Sequence, residues 1–279
     1  MIKKLIRREI NGRWFLGGSH VTLFIICLVV FELQRSWLQI AFGYFCGLLT
    51  EFILYKTSDK YPDNKTFDRL FSAFTEVAGL IILIKSHKWW LYGLLGFFAV
   101  VSKYFIRRSN NSHLFNPTNF AIVISLIFLP TSWFGAWADE YMYHWYPMLH
   151  VTVLGLIAVW LGRTYTVSFS YILSVIFWCA VFFPLHDLSS VVYAFAPEFG
   201  AIGLIFLWLM ITDPKTAPAS ASGQMTYAFS IAFLHIYLRS RQYLYSRYIS
   251  LFIITLLFYA INVFWFEKRN QTVSLSGTN

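Results

Sequence analysis

Charged residues are scarce in this chain: Asp, Glu, Lys and Arg make up 13% of its 279 residues. A soluble domain has about a quarter of its residues charged and about half apolar. Here 58% are hydrophobic and 20% aromatic. Water could not solvate that much apolar surface, whereas a bilayer could. Cysteine is also scarce. Cys27, Cys46 and Cys179 lie inside apolar segments and none belongs to a C-x-x-C pair. That argues against iron–sulfur clusters and structural zinc and leaves buried cysteine acting as a small hydrophobe. No histidines show H-x-x-H or H-E-x-x-H spacing, and His144 and His150 share a helical face only loosely. No G-x-S-x-G, P-loop or dinucleotide fingerprint occurs. No catalytic residue or metal ligand is therefore assigned, and a self-contained enzyme is the weakest reading.

What the chain does have is a succession of apolar runs. A membrane span needs roughly 20 apolar residues, within about 17–25. Ten candidates lie near 15–34, 37–55, 69–84, 89–106, 118–137, 145–161, 165–183, 191–211, 223–238 and 247–266. The runs do not alternate with a period of two, so a closed barrel is excluded. The expected fold class is all-α, a polytopic integral membrane protein of about ten transmembrane helices. The connections are short. Residues 1–266 read as a single transmembrane domain with both termini cytoplasmic, and 267–279 as a short disordered tail. The basic start MIKKLIRREINGRWFLGG leads into an apolar stretch without a small-x-small cleavage site, so it is expected to be a retained first span.

The basic residues test this count. With ten spans, the cytoplasmic side collects Lys3, Lys4, Arg7, Arg8, Arg13, Lys56, Lys60, Lys65, Arg69, Lys103, Arg107, Arg108, Arg163, Lys215, Lys268 and Arg269. The opposite side keeps Arg35, Lys85, Lys88, Arg239, Arg241 and Arg247. That is 16 against 6, a positive-inside bias. RSRQYLYSR at 239–247 is the misfit, with three arginines on the wrong side. The net charge of +9 reads as cytoplasmic loops facing anionic lipid, not as a nucleic-acid surface. Aromatic clusters at Trp89–Trp90, Trp133–Trp137 and Tyr141–Tyr146 stand where interfacial belts belong.

Two polar stretches share one grammar. Asn116-Pro117-Thr118-Asn119 precedes the fifth span, and Asp213-Pro214-Lys215-Thr216 precedes the ninth. In each, an N-cap residue is followed by proline at the first helical position, where its missing N–H costs nothing. Such helix starts either hold an anion or an electron-rich group on free backbone N–H groups, or are ordinary capped starts at the interface. Glu76 lies near the middle of the short third segment, where a carboxylate costs roughly 2.5–3.5 kcal/mol on insertion. It should face the bundle interior, be protonated or line an ion path; an interhelical hydrogen bond is the alternative. Glu51 and Glu198 fall near segment ends, where interfacial solvation is expected.

SAFTEVAGLIILIKSHKWWLYGLLGFFAVVSKYF, followed by HLFNPTNFAIVI, is similar to the RnfD/NqrB family of membrane subunits. These belong to the Rnf complex and to sodium-pumping NADH:quinone oxidoreductase. FGAIGLIFLWLMITDPKTAPAS resembles the family's second signature, and the likeness covers about residues 70–265. The resemblance implies a ten-span, urea-transporter-like subunit of two related halves in the bacterial inner membrane. It implies electron transport coupled to Na⁺ or H⁺ movement beside other membrane or redox subunits. It also places the flavin or substrate region at Phe115, Asn116 and Pro117, and at Thr212, Asp213, Pro214 and Thr216; the helix-start reading adds Thr118 and Asn119 to the candidate site. The chain lacks the family's S-x-A-T motif for covalent FMN, and RRSNNSH stands where glycines usually precede F-N-P. Non-covalent FMN or riboflavin is the expectation. The competing reading is a small-solute or ion transporter or channel on the same scaffold with no redox cofactor.

Overall fold

The computed structural model describes residues 12–30, 34–58, 66–108, 112–134 and 144–276. Helix takes 79% of the chain, and no strand forms among the described residues. The helices are α1 (Gly12–Val30), α2 (Trp37–Lys56), α3 (Thr66–Leu83), α4 (Leu91–Phe105), α5 (Pro117–Phe128), α6 (Trp145–Gly162), α7 (Tyr165–Phe182), α8 (Leu188–Phe199), α9 (Ala201–Ile205), α10 (Ala221–Ser240) and α11 (Ser246–Ser276). A helix lies on every one of the ten expected segments. Among the described residues, four are long and apolar enough to cross a membrane on their own: α2, α6, α7 and the Ser246–Val263 part of α11. The pair of α8 and the Ala201–Met210 segment, which is α9 and the turn after it, makes a fifth if counted as one bent span. This is an integral membrane protein by the length and composition of its helices.

Helix starts follow the local chemistry. Ser36 accepts from the Gln39 backbone N–H and the Gln39 side chain accepts from the Ser36 N–H, a reciprocal box that opens α2. Asp187 and Ser190 do the same for α8. α11 continues to Ser276, through most of the stretch expected to be disordered, because no proline or glycine interrupts it before Gly277.

The expected span at 191–211 is not one rod. Gly200 takes an extended backbone between α8 and α9, and the two helices meet at 45°. Pro197, already inside α8, removes a backbone donor just before that point. Immediately beyond α9, Phe206–Met210 forms a π-helical turn closed by the Ile211 N–H on the Phe206 carbonyl. Such turns are rare and occur mostly as single bulges in longer helices.

Packing repeats between the two halves of the chain. α2 lies along α4 as α7 lies along α10, and α5 follows α4 as α11 follows α10. The α2–α4 crossing is close because of glycine. A Cβ on Gly96 would stand 3.1 Å from the Gly43 carbonyl oxygen and 3.4 Å from the Gly47 Cα. Gly43 and Gly47 form a small-xxx-small pair of the kind that lets membrane helices approach. At the other end of this half, the Ile84 carbonyl accepts from both Arg35 Nε (3.1 Å) and the Tyr92 hydroxyl (2.8 Å). The Gln39 amide donates to the Ser86 carbonyl, and Trp90 meets Trp133 edge-on. Trp137 and Tyr141, named from the sequence, lie outside the described residues.

Candidate functional site

Three polar assemblies lie inside this apolar body. In the first, the close α2–α4 crossing puts Glu51, one turn beyond Gly47, opposite Lys103, two turns beyond Gly96. Glu76 enters from α3. Lys103 Nζ is 2.6 Å from Glu51 Oε2 and 2.9 Å from Glu76 Oε2. The Tyr104 hydroxyl donates to Glu51 Oε1 (2.7 Å), and the Ser72 hydroxyl donates to Glu76 Oε1 (3.1 Å). The Glu51 and Lys103 side chains are 0% and 1% exposed, and Glu76 is 14% exposed. Glu76 therefore faces the bundle interior. The expected interfacial solvation of Glu51 is overturned, since α4 covers the residue and supplies its counter-charge.

The second assembly centres on Glu198, two residues before the Gly200 break. His235 and Arg239 stand one turn apart on α10 and reach the same carboxylate. His235 Nε2 lies 3.0 Å from both carboxylate oxygens, Arg239 donates at 2.9 Å, and Arg247 from α11 donates at 3.4 Å. His235 Nδ1 is 3.0 Å from the Ser246 hydroxyl. The arginines also donate to the carbonyls of Ala194 (2.7 Å) and Pro197 (2.9 Å), and Arg239 to that of Tyr193. The Pro197 carbonyl lies in the last turn of α8, where helix carbonyls lack partners and carry partial negative charge, and Pro197, without an N–H, frees the Tyr193 carbonyl. Glu198 is 5% exposed, so its expected interfacial solvation is overturned too.

This geometry accounts for two of the three arginines in the charge misfit at 239–247; the third, Arg241, is exposed and lies over the Tyr237 ring. Arg239 and Arg247 point into the protein at the bend. Arg35, also on the minority side, is 6% exposed and caps the end of α3 at Ile84. Conversely, Lys103, counted with the cytoplasmic loops, belongs to the buried first assembly. Loop charge rules do not govern side chains that never leave the fold.

The third assembly joins the two sequence motifs. The strand-like pairing of Arg107 with His113 folds the segment ahead of α5 back on itself. Arg108 then donates to the Thr216 carbonyl at 2.7 Å, and Lys215 Nζ is 3.0 Å from His113 Nε2. Burial, followed by the nearby charges of Lys215, Lys103, Arg107 and Arg69, pushes His113 down to about 2. The ring is therefore neutral and its Nε2 accepts from the lysine.

Most of the motif side chains are occupied locally. Asn116 caps α5 by accepting from the Asn119 N–H at 3.1 Å, with Pro117 at the first helical position as expected. Thr118 packs over Gly79 of α3, its Oγ1 3.7 Å from where a Cβ would stand. Asn119 is 1% exposed, and its Oδ1 has no hydrogen-bond partner among the described residues. Phe115 stacks on Phe252 of α11, with centroids 4.4 Å apart and planes at 6°. Asp213-Pro214 does not begin a helix, contrary to the reading from sequence. Asp213 Oδ1 accepts from the Lys215 N–H, the Thr216 hydroxyl donates to the Asp213 carbonyl, and the Thr212 hydroxyl donates to the Trp208 carbonyl. Helix begins only at Ala221, capped by Ser220. Pro218 explains the delay, since it steers Ala217 away from helical backbone and has no N–H of its own.

Sequence reasoning missed Lys103, Tyr104, His235, Arg239 and Arg247 as partners. The His235–Arg239 spacing of one helical turn was the available signal. No protein-family model matches this chain, and no curated protein matches it.

Proposed function

We propose that this chain is an integral membrane subunit of the RnfD/NqrB type, working in the bacterial inner membrane beside redox partners and handling the coupled ion. The carrying observation is the buried Glu51–Lys103–Glu76 assembly. Charged groups buried among the helices of a membrane protein are costly and mark ion pathways or relays. A second feature supports the two-halves reading. Glu76 stands ten residues beyond the first residue of α3, and Glu198 ten beyond the first residue of α8. Each carboxylate meets a cation from the last turn of a later helix, Lys103 on α4 and Arg239 on α10. On an alternating ten-span path the two assemblies lie toward opposite faces of the membrane, as inverted repeats would place them.

The residues present do not fit a flavin at the motif positions. Phe252 fills the stacking face of Phe115, and the side chains of Asn116, Thr212, Asp213 and Thr216 are engaged in caps and turns. Electron carriers are accordingly assigned to partner subunits.

The test is purification from native membranes, with flavin absorbance read before and after denaturation, followed by reconstitution with the co-purifying proteins. Redox-driven H⁺ or Na⁺ uptake that drops at least tenfold in Glu76→Gln supports the reading. A protein isolated without redox partners, with uptake equal in wild type and variant, overturns it.

A further inference from the structure

We infer that the Glu51–Lys103–Glu76 assembly is a one-proton store, and that Glu76 is the group that takes up and releases the proton. The inference deepens the proposed function and rests on its placing of these helices within the bilayer.

Charge counting comes first. Two carboxylates and one ammonium carry a net charge of −1 when all three are ionised. Ser72 and Tyr104, which also donate to these carboxylates, are neutral, and the neighbouring Arg107 guanidinium lies over the Tyr104 ring with its Nε on the Lys103 carbonyl. The assembly has no aqueous surface over which to spread that charge, because Glu51 and Lys103 are sealed from solvent and Glu76 nearly so. An unbalanced ion buried in a low-dielectric interior neutralises instead of persisting. One added proton makes the assembly neutral.

Geometry then selects the ligand and its seat. Each of the four carboxylate oxygens already has a hydrogen donor or the ammonium beside it. A Na⁺ or K⁺ ion would need several oxygens facing one point and would have to expel Lys103. A proton needs one oxygen. Glu51 has the shorter contacts, 2.6 Å to Lys103 and 2.7 Å to Tyr104, and no exposure. Glu76 has the longer ones, 2.9 Å and 3.1 Å, and the only exposed edge. The Ser72 hydroxyl donates to a Glu76 carboxylate and can accept from a Glu76 acid, so both states are hydrogen-bonded without rearrangement. Uptake forms one O–H bond on Glu76 and takes the assembly from −1 to 0. Release breaks that bond, returns the proton to water or a partner, and turns the Ser72 hydroxyl from acceptor back to donor.

The test is infrared difference spectroscopy of the purified full chain in nanodiscs at neutral pH, reading the carboxylic-acid C=O band against isotope-labelled glutamate. Wild type should show one acid equivalent from this assembly. Glu76→Gln and Glu51→Gln each leave one carboxylate paired with Lys103, so both should show none. Lys103→Met leaves two buried carboxylates and should show two, and the glutamine variants decide the matter if that variant fails to fold. An acid band absent from wild type overturns the inference, as does one unchanged in both glutamine variants. Loss of the wild-type band on replacing K⁺ by Na⁺ also overturns it, in favour of a sodium site. If the band behaves as expected while vesicles show no redox-driven uptake, the proposed function fails and the proton store stands.

Discussion

The Lys103 ammonium lies 2.6 Å from Glu51 and 2.9 Å from Glu76, so one cation serves two carboxylates on two other helices. Removing it leaves both acids without a counter-charge. Lys103→Met should destabilise the protein by about 3–5 kcal/mol, the range for breaking a buried pair from one side. Glu76→Gln should cost about 1 kcal/mol or less, as expected for replacing a neutral acid by a similar neutral amide. Denaturant unfolding in mixed micelles measures both.

The Glu198 assembly is tied to the helix bend more tightly than to any loop. Arg247→Gln and Arg239→Gln should each cost about 3–5 kcal/mol. Arg239→Lys should recover only part of the loss, because one ammonium cannot replace both Nη1, which donates to Glu198 and the Ala194 carbonyl, and Nη2, which donates to the Tyr193 carbonyl. Thermal unfolding of the three variants in one detergent checks the order.

At Asn116 the cap explains the residue without a ligand. Asn116→Ala should cost about 0.5–2 kcal/mol and Asn116→Asp nearly nothing. Ser220→Ala should loosen the start of α10 by a similar amount, whereas Asp213→Ala should leave that start unchanged. Amide exchange over residues 117–120 and 221–224 reads each effect.

Glycine at position 203 is a matter of space. A Cβ there would stand 2.1 Å from the Glu198 carbonyl oxygen, a contact that forces the bend to open. Gly203→Ala should destabilise by about 1–3 kcal/mol. Gly18→Ala, with no atom within 4 Å of the new carbon, should be neutral or stabilising by up to about 1 kcal/mol.

Acid should act first at the exposed start of α8. The Ser190 backbone N–H and the hydroxyls of Ser190 and Ser189 hold the Asp187 carboxyl below its ordinary value. A lowered carboxyl stabilises the fold above its unfolded value, and that contribution is lost as pH falls through the folded one. Amide protection of residues 188–191 should therefore fall below about pH 4. Asp187→Asn should remove the pH dependence in that window.

The apolar runs made the helical membrane body readable from sequence, since hydrophobic length alone dictates it. Asn116 was readable too, because a cap followed by proline is a local signal. Gly200 was not: Pro197 and Gly200 stand in a run apolar enough to look continuous, and only packing reveals the bend. The ionic partners were invisible for another reason. Lys103 meets Glu51 across 52 residues and Arg247 meets Glu198 across 49, so no local window contains both. The helices fall on expected places; the pairings depend on which faces meet.

The contacts of Glu198 also impose an order in time. α8 is synthesised with its carboxylate, its proline and its bend before either arginine exists. At about 5–20 residues per second, Arg247 follows Glu198 by roughly 2–10 seconds. During that interval the nascent segment must be sheltered by the insertion machinery or remain outside the lipid. A chain stalled before Arg239 should be a substrate for membrane quality-control proteases.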